Sequence, residues 1–304
     1  MRRRTVVALA LCILLATLAA ASGKAGWRAR LVAAKLRGEL PHLSWSDVGA
    51  RLLPYRAGRR PQSPNLDCRG KLKPPVRFAG RGEEPCPAAW ETPAGRFWGR
   101  LSDGPLLACL MAEQLIDKIY DREPVSLRPG DVVLDVGAHL GTFTRLALRS
   151  GAGLVIAVEP EPTNIACFRR NFSQELDQRR VILVEAALWE TSGTMDLAPG
   201  AGNSGGFTLV DEIRRAPGIT VRATTLDEVV QGVSPDRLDF IKMDIEGGER
   251  HALRGGRETI RRLAPRMAIC VYHRADDRQV IPQLVSEIRP AYRMARGTDQ
   301  AYFY

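Results

Sequence analysis

The run from Val132 to Gly141 constrains the fold of this chain more than any other segment. Its first five residues, VVLDV, are those of a buried strand, and they include the acid Asp135. Gly137 and Gly141 then form a turn that leads into a predicted helix, residues 142–150. A strand that turns on glycines into a helix presents backbone N–H groups and a helix N-terminus to a ligand. The segment therefore predicts a nucleotide-type pocket in an α/β fold.

The spacing within this segment narrows the choice of nucleotide. Dinucleotide folds use G-x-G-x-x-G, whereas here Ala138 and His139 stand inside an Asp-x-Gly-x-x-x-Gly pattern. The next apolar run, LVIAV, ends in Glu159, where a carboxylate can accept both hydroxyls of a ribose. Ribose is therefore better supported than pyrophosphate, and a nicotinamide-dependent oxidoreductase is disfavoured.

Five motifs follow one another along the chain. They are DVGAHLG from Asp135, VEPEP from Val158, EAAL from Glu185, TLD from Thr225 and IKMDIEGGE from Ile241. In this order they resemble the motifs of the FkbM-type S-adenosylmethionine-dependent methyltransferases. The resemblance implies an α/β, Rossmann-like, doubly wound fold, with a mostly parallel seven-stranded sheet and helices on both faces. It also implies S-adenosylmethionine as methyl donor and, most often, an oxygen of a sugar or other small metabolite as acceptor.

The resemblance and the strand ends together give a set of candidate cofactor-binding residues. In the family, an acid and a backbone N–H reach the adenine edge at the place where Glu185 and Ala186 stand here. A solvent-exposed acid is the competing interpretation of Glu185. His139 is expected to shape the glycine turn or to contact the methionine part of the cofactor. The full set is Asp135, Gly137, Ala138, His139, Gly141, Glu159, Pro160, Glu185 and Ala186.

Candidate catalytic residues follow the predicted fourth strand, residues 239–247. Alternation along a strand puts Lys242, Asp244 and Glu246 on one side. Methyl transfer to a hydroxyl needs a positioned acceptor and a base that removes its proton. Asp244 or Glu246 is predicted as that base, with Lys242 lowering the pKa of the acceptor or orienting a carboxylate. The alternative is that the three residues pair with each other and cap the next helix.

Three further positions are candidates for the acceptor side of the site. His273 follows a predicted fifth strand and has the ordinary pKa of a base, near 6.5, although a structural histidine is an equal alternative. Asn203 and Ser204 lie in a glycine-rich loop, residues 200–206, of the kind that closes over substrates. Asp244 and Glu246 would suit magnesium, but nothing beyond two carboxylates argues for it, and no metal site is predicted.

The N-terminal residues predict a segment that targets the chain to a membrane or to the secretory pathway. Three arginines precede an uncharged, mostly apolar run from Thr5 to Ala21, intermediate between a signal-peptide core and a spanning helix. Residues 1–22 are therefore predicted to be a signal peptide or a signal anchor, and membrane association is expected unless the segment is cleaved. The protein is therefore predicted to be membrane-anchored or to enter the secretory pathway. A Golgi-type lumen and a cytosol-facing orientation both stay open, because basic residues flank the run on both sides.

Residues 23–104 are rich in Pro, Gly and Arg and are expected to form an irregular stem before a methyltransferase domain, residues 105–304. If the stem is lumenal, the loop cysteines Cys68 and Cys86 are candidates for a disulfide. The remaining core cysteines, Cys109, Cys167 and Cys270, are expected to be small buried hydrophobes. The sequon at Asn171 would accept a glycan only in a lumen and is otherwise expected to be helix surface.

The composition and net charge limit the kinds of partner that this chain can be expected to bind. With 304 residues and 45% hydrophobic content the chain can bury a full α/β core, and its net charge of +10 suits acidic partners. The arginines are scattered instead of massed with aromatics, so nucleic-acid binding is not predicted. Two hypotheses remain: a membrane-targeted methyltransferase acting on a small molecule or glycan, and a non-catalytic nucleotide-binding scaffold. The intact acids and glycines favour the enzyme. The oligomeric state is left open.

Overall fold

The computed structural model describes residues 75–199, 205–210 and 217–304. The predicted signal or anchor segment, residues 23–74 of the predicted stem, Asn203 and Ser204 lie outside the described residues. In the described ranges, no helix has both the length and the apolar character needed to cross a bilayer.

The elements of the described chain are numbered here in chain order. The strands are β1 (Arg77–Arg81), β2 (Ala88–Thr92), β3 (Gly95–Gly99), β4 (Val132–Val136), β5 (Leu154–Val158), β6 (Val181–Val184), β7 (Ala187–Leu188), β8 (Gly193–Pro199), β9 (Phe207–Thr208), β10 (Ile219–Thr224), β11 (Phe240–Met243), β12 (Arg266–Cys270), β13 (Met294–Arg296) and β14 (Gln300–Phe303). The helices are α1 (Asp103–Met111), α2 (Thr142–Arg149), α3 (Pro162–Asn171), α4 (Ser173–Asp177), α5 (Leu226–Val233), α6 (Glu249–Arg254), α7 (Arg257–Leu263) and α8 (Asp277–Ile288). A π-helical segment, Ala112–Ile116, continues α1.

The main sheet has seven strands in the order β13-β14-β12-β11-β4-β5-β6. From β4 the chain runs outward to β6 on one side and then returns through β11 and β12 on the other, which is the doubly wound arrangement. The sheet is mixed, however, and not mostly parallel as the sequence predicted: β14 pairs antiparallel with both β12 and β13. The short turn between β13 and β14 accounts for their own antiparallel pairing, because so few residues can only join antiparallel neighbours.

Helices cover both faces of the main sheet, as predicted. Val133 and Val155 belong to one buried cluster, which includes residues of α1, α2 and α3. Leu134 and Ile156, one position along each strand, belong to a second cluster with residues of α5, α6, α7 and α8. Because successive side chains of a strand point to opposite faces, the two clusters are the two halves of the core. A smaller sheet, β7-β10-β8-β9, stands after β6.

The residues just before α1 form a three-stranded antiparallel sheet, β1-β2-β3, where the sequence predicted an irregular stem. The compact unit accordingly begins at Val76, well before the predicted boundary at residue 105. Pro85, Pro87 and Pro93 lie in the connections between these strands and therefore remove no hydrogen bond from them.

The cysteines pair differently from the prediction. Cys86 is bonded to Cys167 of α3, with 5.5 Å between their Cα atoms, and not to Cys68, which lies outside the described residues. Cys109 is also disulfide-bonded. Of the three cysteines expected to be buried hydrophobes, only Cys270 is a free buried thiol.

Asn171 does not lie on the helix surface, which is where the sequence predicted it to lie in the absence of a glycan. Its side chain is buried, its Oδ1 accepts from the backbone N–H of Trp98 at 2.6 Å, and its Nδ2 donates to the carbonyls of Trp98 and Leu140. These three bonds use the amide to join α3, β3 and the glycine turn. A glycan on Nδ2 would disrupt these two donor bonds, so this packing does not fit a glycosylated Asn171.

Candidate active site

A cleft of about 580 Å³, including its open mouth, lies at the carboxyl ends of β4, β5 and β11. This is the point where the strand order reverses, which is where open α/β sheets bind ligands. Seven predicted site residues line the cleft: Gly137, His139, Glu159, Pro160, Ala186, Asp244 and Glu246. The other predicted residues that the structure describes are Asp135, Ala138, Gly141, Glu185, Lys242 and His273, and they are not part of this lining.

The glycine turn is shaped by its protein neighbours. Gly137 has a φ of +79°, and a Cβ there would come within 2.1 Å of the Asp244 carbonyl oxygen. The N–H groups of Gly137 and Ala138 both donate to the Val158 carbonyl at 3.0 Å. Gly137 is therefore required by the close approach of the chain after β11, a contact between distant segments that the motif alone does not reveal.

Glu159 has a buried, tightly held carboxylate. Its Oε2 accepts from the backbone N–H of His139 at 2.8 Å, and its Oε1 accepts from the N–H of Glu161 and from Nδ2 of Asn164. Burial raises the pKa of Glu159, while these three donors oppose the rise. The side chain is fixed in the cleft wall, and with three of about four lone-pair sites filled it can still accept a hydrogen bond from a ligand hydroxyl at Oε2.

His139 stands beside Glu159 in the cleft wall. It occupies the left-handed region, with a φ of +53°, which few residues other than glycine adopt. Burial, reinforced by the positive charges of Arg100 and Lys242, lowers the pKa of His139 to about 3. Its imidazole is therefore neutral at physiological pH.

Asp135 and Lys242 form a buried ion pair behind the glycine turn. Lys242 Nζ lies 3.2 Å from Asp135 Oδ1 and donates to the carbonyls of Gly137 and Val136. Thr144 donates to the other oxygen of Asp135 at 2.7 Å. Burial lowers the pKa of Lys242, but the charges of Asp135 and Asp244 outweigh it and the ammonium stays protonated. Lys242 thus braces the turn from behind instead of facing the cleft.

Glu185 lies away from the cleft. Its carboxylate is exposed and pairs with the guanidinium of Arg169 on α3. Ala186, the next residue, is buried and does line the cleft. The predicted contact of Glu185 with an adenine edge therefore has no support in this arrangement.

The acidic pair lies in the loop after β11. This strand ends at Met243, so alternation along a strand does not extend to Glu246, which has a φ of +52°. The two carboxylates nevertheless converge on one imidazole: His273 Nε2 lies 3.5 Å from Asp244 Oδ1 and 3.7 Å from Glu246 Oε2. The hydroxyl of Tyr120 donates to the other oxygen of Asp244 at 2.7 Å.

Glu249 holds this loop and His273 together. It is fully buried at the first position of α6, and its Oε1 accepts from the Ile245 N–H at 2.9 Å and lies 3.0 Å from His273 Nδ1. Burial lowers the pKa of His273, but Glu249, Asp244 and Glu246 outweigh it and raise that pKa to about 10. An imidazolium has no lone pair to accept a proton, which argues against His273 as the base at neutral pH.

The two carboxylates of the loop have opposite pKa shifts. Burial, together with repulsion from Asp244 and Glu249, raises the pKa of Glu246 to about 7, against the opposing charges of His273 and Lys242. Burial also acts on Asp244, but the charges of His273 and Lys242 and the bond from Tyr120 lower its pKa overall. Neighbouring carboxylates with separated pKa values are typical of sites that divide acid–base roles.

Two residues of this cluster were not predicted. Glu249 belongs to the IEGGE motif, and its position at the start of a helix after a strand was the available signal. Tyr120 carried no signal, because its partner Asp244 is 124 residues away in the chain.

Asp244, Glu249 and His273 offer ligand atoms within 4.8 Å of one another, close enough to share a cation. The proton held between Glu249 and His273 competes for that position.

Known proteins resemble about half of this chain. It is 29% identical over 174 residues to the 31-O-demethyl-FK506 methyltransferase FkbM of Streptomyces tacrolimicus, covering 48% of this chain and 67% of that protein. It is 32% identical over 158 residues to the 2-O-methyltransferase NoeI of Sinorhizobium fredii, covering 46% of this chain and 63% of that protein. The aligned region thus spans about two thirds of these relatives.

A solved structure, the methyltransferase FkbM of Methylobacillus flagellatus, is similar at 21% identity and a TM-score of 0.46, covering 68% of this chain and 56% of that one. A similarity at this level says nothing about the site. The family model of the methyltransferase FkbM domain matches residues 135–295, which include the glycine turn, Glu159 and the acidic loop. The chain therefore belongs to the FkbM methyltransferase family.

Proposed function

We propose that this protein is an S-adenosylmethionine-dependent O-methyltransferase that acts on a hydroxyl of a small molecule or glycan. The observation that carries the proposal is one cleft with two chemically different walls. One wall has a buried carboxylate, Glu159, fixed at the end of β5, and the other has Glu246 beside Asp244. Two relatives are named as a 31-O- and a 2-O-methyltransferase, which supports oxygen as the acceptor atom.

The residues around Glu159 fit the donor. Glu159 keeps acceptor capacity for a ribose hydroxyl, and the apolar side chains of Val158, Ala186 and Leu188 line the cleft beside it, as a flat base requires. S-adenosylmethionine supplies an electrophilic methyl group when bound. The neutral imidazole of His139 adds no positive charge to the wall that faces a sulfonium.

Glu246 is the proposed base. Its carboxylate lines the cleft, and its pKa of about 7 leaves a large share deprotonated at neutral pH while keeping it basic enough to take a hydroxyl proton. Asp244 has a lowered pKa and is held by Tyr120. It therefore remains a carboxylate that accepts a hydrogen bond and orients the acceptor. The His273 imidazolium compensates the negative charge of both.

The disulfides support a further part of the proposal, which is that the domain lies in an oxidising compartment. Cys86 and Cys167 are bonded, and Cys109 is also in a disulfide. Such bonds persist in the secretory pathway or outside the cell and are rare in the cytosol. The location agrees with the predicted signal or anchor function of residues 1–22, and a lumenal domain would need imported S-adenosylmethionine.

Calorimetric titration of S-adenosylhomocysteine into the full chain tests the donor site. We expect binding in the wild type and a loss of about tenfold or more in Glu159→Ala, because the ribose loses a charged hydrogen-bond acceptor. Glu258→Ala is the matched control, since that carboxylate is exposed on α7. NAD is the competing ligand in parallel titrations.

The outcomes separate the hypotheses. Tight S-adenosylhomocysteine binding that depends on Glu159 justifies a screen of hydroxyl acceptors. Tighter binding of NAD would favour an oxidoreductase. Binding of neither ligand would favour a scaffold that keeps the fold without the reaction.

A further inference from the structure

Arg100 connects the N-terminal sheet to the donor wall of the cleft. It follows β3 directly, and its side chain is only 26% exposed. One guanidinium nitrogen, Nη1, donates to Asn164 Oδ1 at 2.8 Å, and the other, Nη2, donates to Glu161 Oε2 at 2.8 Å. A guanidinium that serves two acceptors at once fixes the distance between them.

Both acceptors hold Glu159 in turn. Nδ2 of Asn164 and the backbone N–H of Glu161 donate to the same oxygen, Glu159 Oε1, at 3.2 and 3.0 Å. The carboxylate of Glu161 also accepts from the N–H of Asn164 at 2.7 Å and thereby caps α3. The network therefore leads from Arg100 through two residues to the carboxylate proposed to bind ribose.

The backbone at Arg100 is itself anchored. Its N–H donates to Asp103 Oδ2 at 2.7 Å, and its carbonyl accepts from the indole of Trp90 at 3.1 Å. The N-terminal sheet thus presents Arg100 from a fixed position, as a residue that orients other groups must be presented.

The same sheet is fastened to α3 at three levels. Arg100 binds residues at the start of the helix, the Cys86–Cys167 disulfide lies in its second half, and Trp98 bonds to Asn171 at its end. Three attachments along a ten-residue helix prevent it from sliding or tilting relative to the sheet. The start of this helix is the part that lines the cleft, through Asn164.

We propose that the N-terminal sheet contributes to the donor site through one positioning residue, Arg100. Arg100 holds Glu161 and Asn164 so that Glu159 faces the ribose hydroxyls. This inference rests on the proposed donor. Arg100 and the N-terminal sheet precede residues 135–295, which match the family model. The positioning residue therefore lies outside the part of the chain that the family model covers.

The test is the affinity of the full chain for S-adenosylhomocysteine, measured by calorimetry in Arg100→Ala and Arg96→Ala. Residues that hold metal ligands from behind typically contribute about 10- to 100-fold to affinity; by the same physical logic we expect about a tenfold loss in Arg100→Ala. Arg96 lies on β3 four positions earlier and pairs with the exposed Glu91, so Arg96→Ala should bind like the wild type. Equal losses in both variants would indicate general damage to the sheet and overturn the proposal.

Two conservative variants keep the test valid if Arg100→Ala folds poorly. Arg100→Lys retains the charge and one donor contact and should recover part of the affinity. Glu161→Gln keeps an acceptor for Asn164 but loses the ion pair, and combining it with Arg100→Ala should weaken binding by less than the product of the separate effects. Independent, multiplicative effects would contradict the network.

The result also distinguishes this inference from the function on which it rests. A wild type that binds S-adenosylhomocysteine, with Arg100→Ala, Arg100→Lys and Glu161→Gln all unchanged, overturns the positioning role and leaves the donor site intact. A wild type that does not bind overturns both.

Discussion

At the scale of single residues, two carboxylates in the loop after β11 have opposite pKa shifts although they belong to the same motif. Asp244 and Glu246 are two positions apart, yet the pKa of Asp244 is lowered and that of Glu246 is raised to about 7. The difference arises from their partners. Burial is the largest influence on both and acts to raise both pKa values. For Asp244 the charges of His273 and Lys242 and the bond from Tyr120 outweigh burial, whereas for Glu246 the repulsion from Asp244 and Glu249 adds to it.

Glu246→Gln should lower kcat by about 10²- to 10⁴-fold, the usual contribution of a general base. The affinity for S-adenosylhomocysteine should change by less than about twofold, because Gln is isosteric and Glu246 belongs to the acceptor side. In the wild type, kcat should rise with pH through about 7 as Glu246 deprotonates. Methyl transfer to a hydroxyl acceptor, followed over pH 5–9, measures both effects, and an unchanged kcat would remove Glu246 from the mechanism.

His273→Asn should make stability less dependent on pH. The folded-state pKa of His273 is about 10, above the unfolded value of about 6.5. The proton therefore stabilises the fold fully below pH 6.5, and this contribution is lost as the pH rises through 10. Asn keeps a donor for Glu249 without the charge, so we expect a loss of about 2–4 kcal/mol at pH 6 that shrinks toward pH 10.

Urea unfolding of both proteins at pH 6, 8 and 10 measures this difference. His251→Asn is the control between pH 8 and 10, because burial lowers the pKa of His251 below its ordinary value of 6.5 and its protonation does not change in that range. A stability cost of His273→Asn that stays constant with pH would show that His273 is not held as a cation.

At the scale of elements, α3 is the structural link between the N-terminal sheet and the cleft. Asn171 near its end bonds to Trp98 and Leu140, and Leu140 lies in the glycine turn. A single buried amide thus fixes the spacing of three segments. Its position within a sequon is incidental, since the amide nitrogen is already used in two hydrogen bonds.

Asn171→Ala should lower the free energy of unfolding by about 2–3 kcal/mol, because three backbone groups lose their partner in a buried region. Ser173→Ala destroys the same sequon without touching the amide and should be close to neutral. Chemical unfolding of both variants, with mass measurement of the protein secreted from a eukaryotic host, is the test. A glycan on Asn171 or equal costs in the two variants would contradict this account.

At the scale of the whole molecule, the disulfide joins residues 81 positions apart and closes the chain from β2 to β5 into a loop. Replacing both Cys86 and Cys167 by Ser should cost about 4 kcal/mol, mainly by freeing the unfolded chain. Alkylation of the unfolded, unreduced protein should label Cys270 and leave Cys86 and Cys167 unmodified. Labelling of Cys86 and Cys167 without reduction would remove the main support for an oxidising location.

The core of the fold could be predicted from short-range sequence. The apolar runs at β4 and β5, the glycines between β4 and α2, and the acid at Glu159 are local patterns, and each forms the element that its pattern favours. Periodicity and turn chemistry depend on neighbours a few residues away, so one sequence was sufficient. The family motifs added the order of the elements and the positions of Asp244 and Glu246.

The tertiary structure decided what depends on distant residues. The pairing of Cys86 with Cys167, the burial of Asn171, the ion pair that keeps Lys242 behind the turn and the position of Glu185 outside the cleft all follow from segments that meet only after folding. The protonation of His273 has the same origin, since Glu249, Asp244 and Glu246 reach it from another strand end. Local sequence specifies backbone conformation, whereas charge, burial and side-chain partners are properties of the packed molecule.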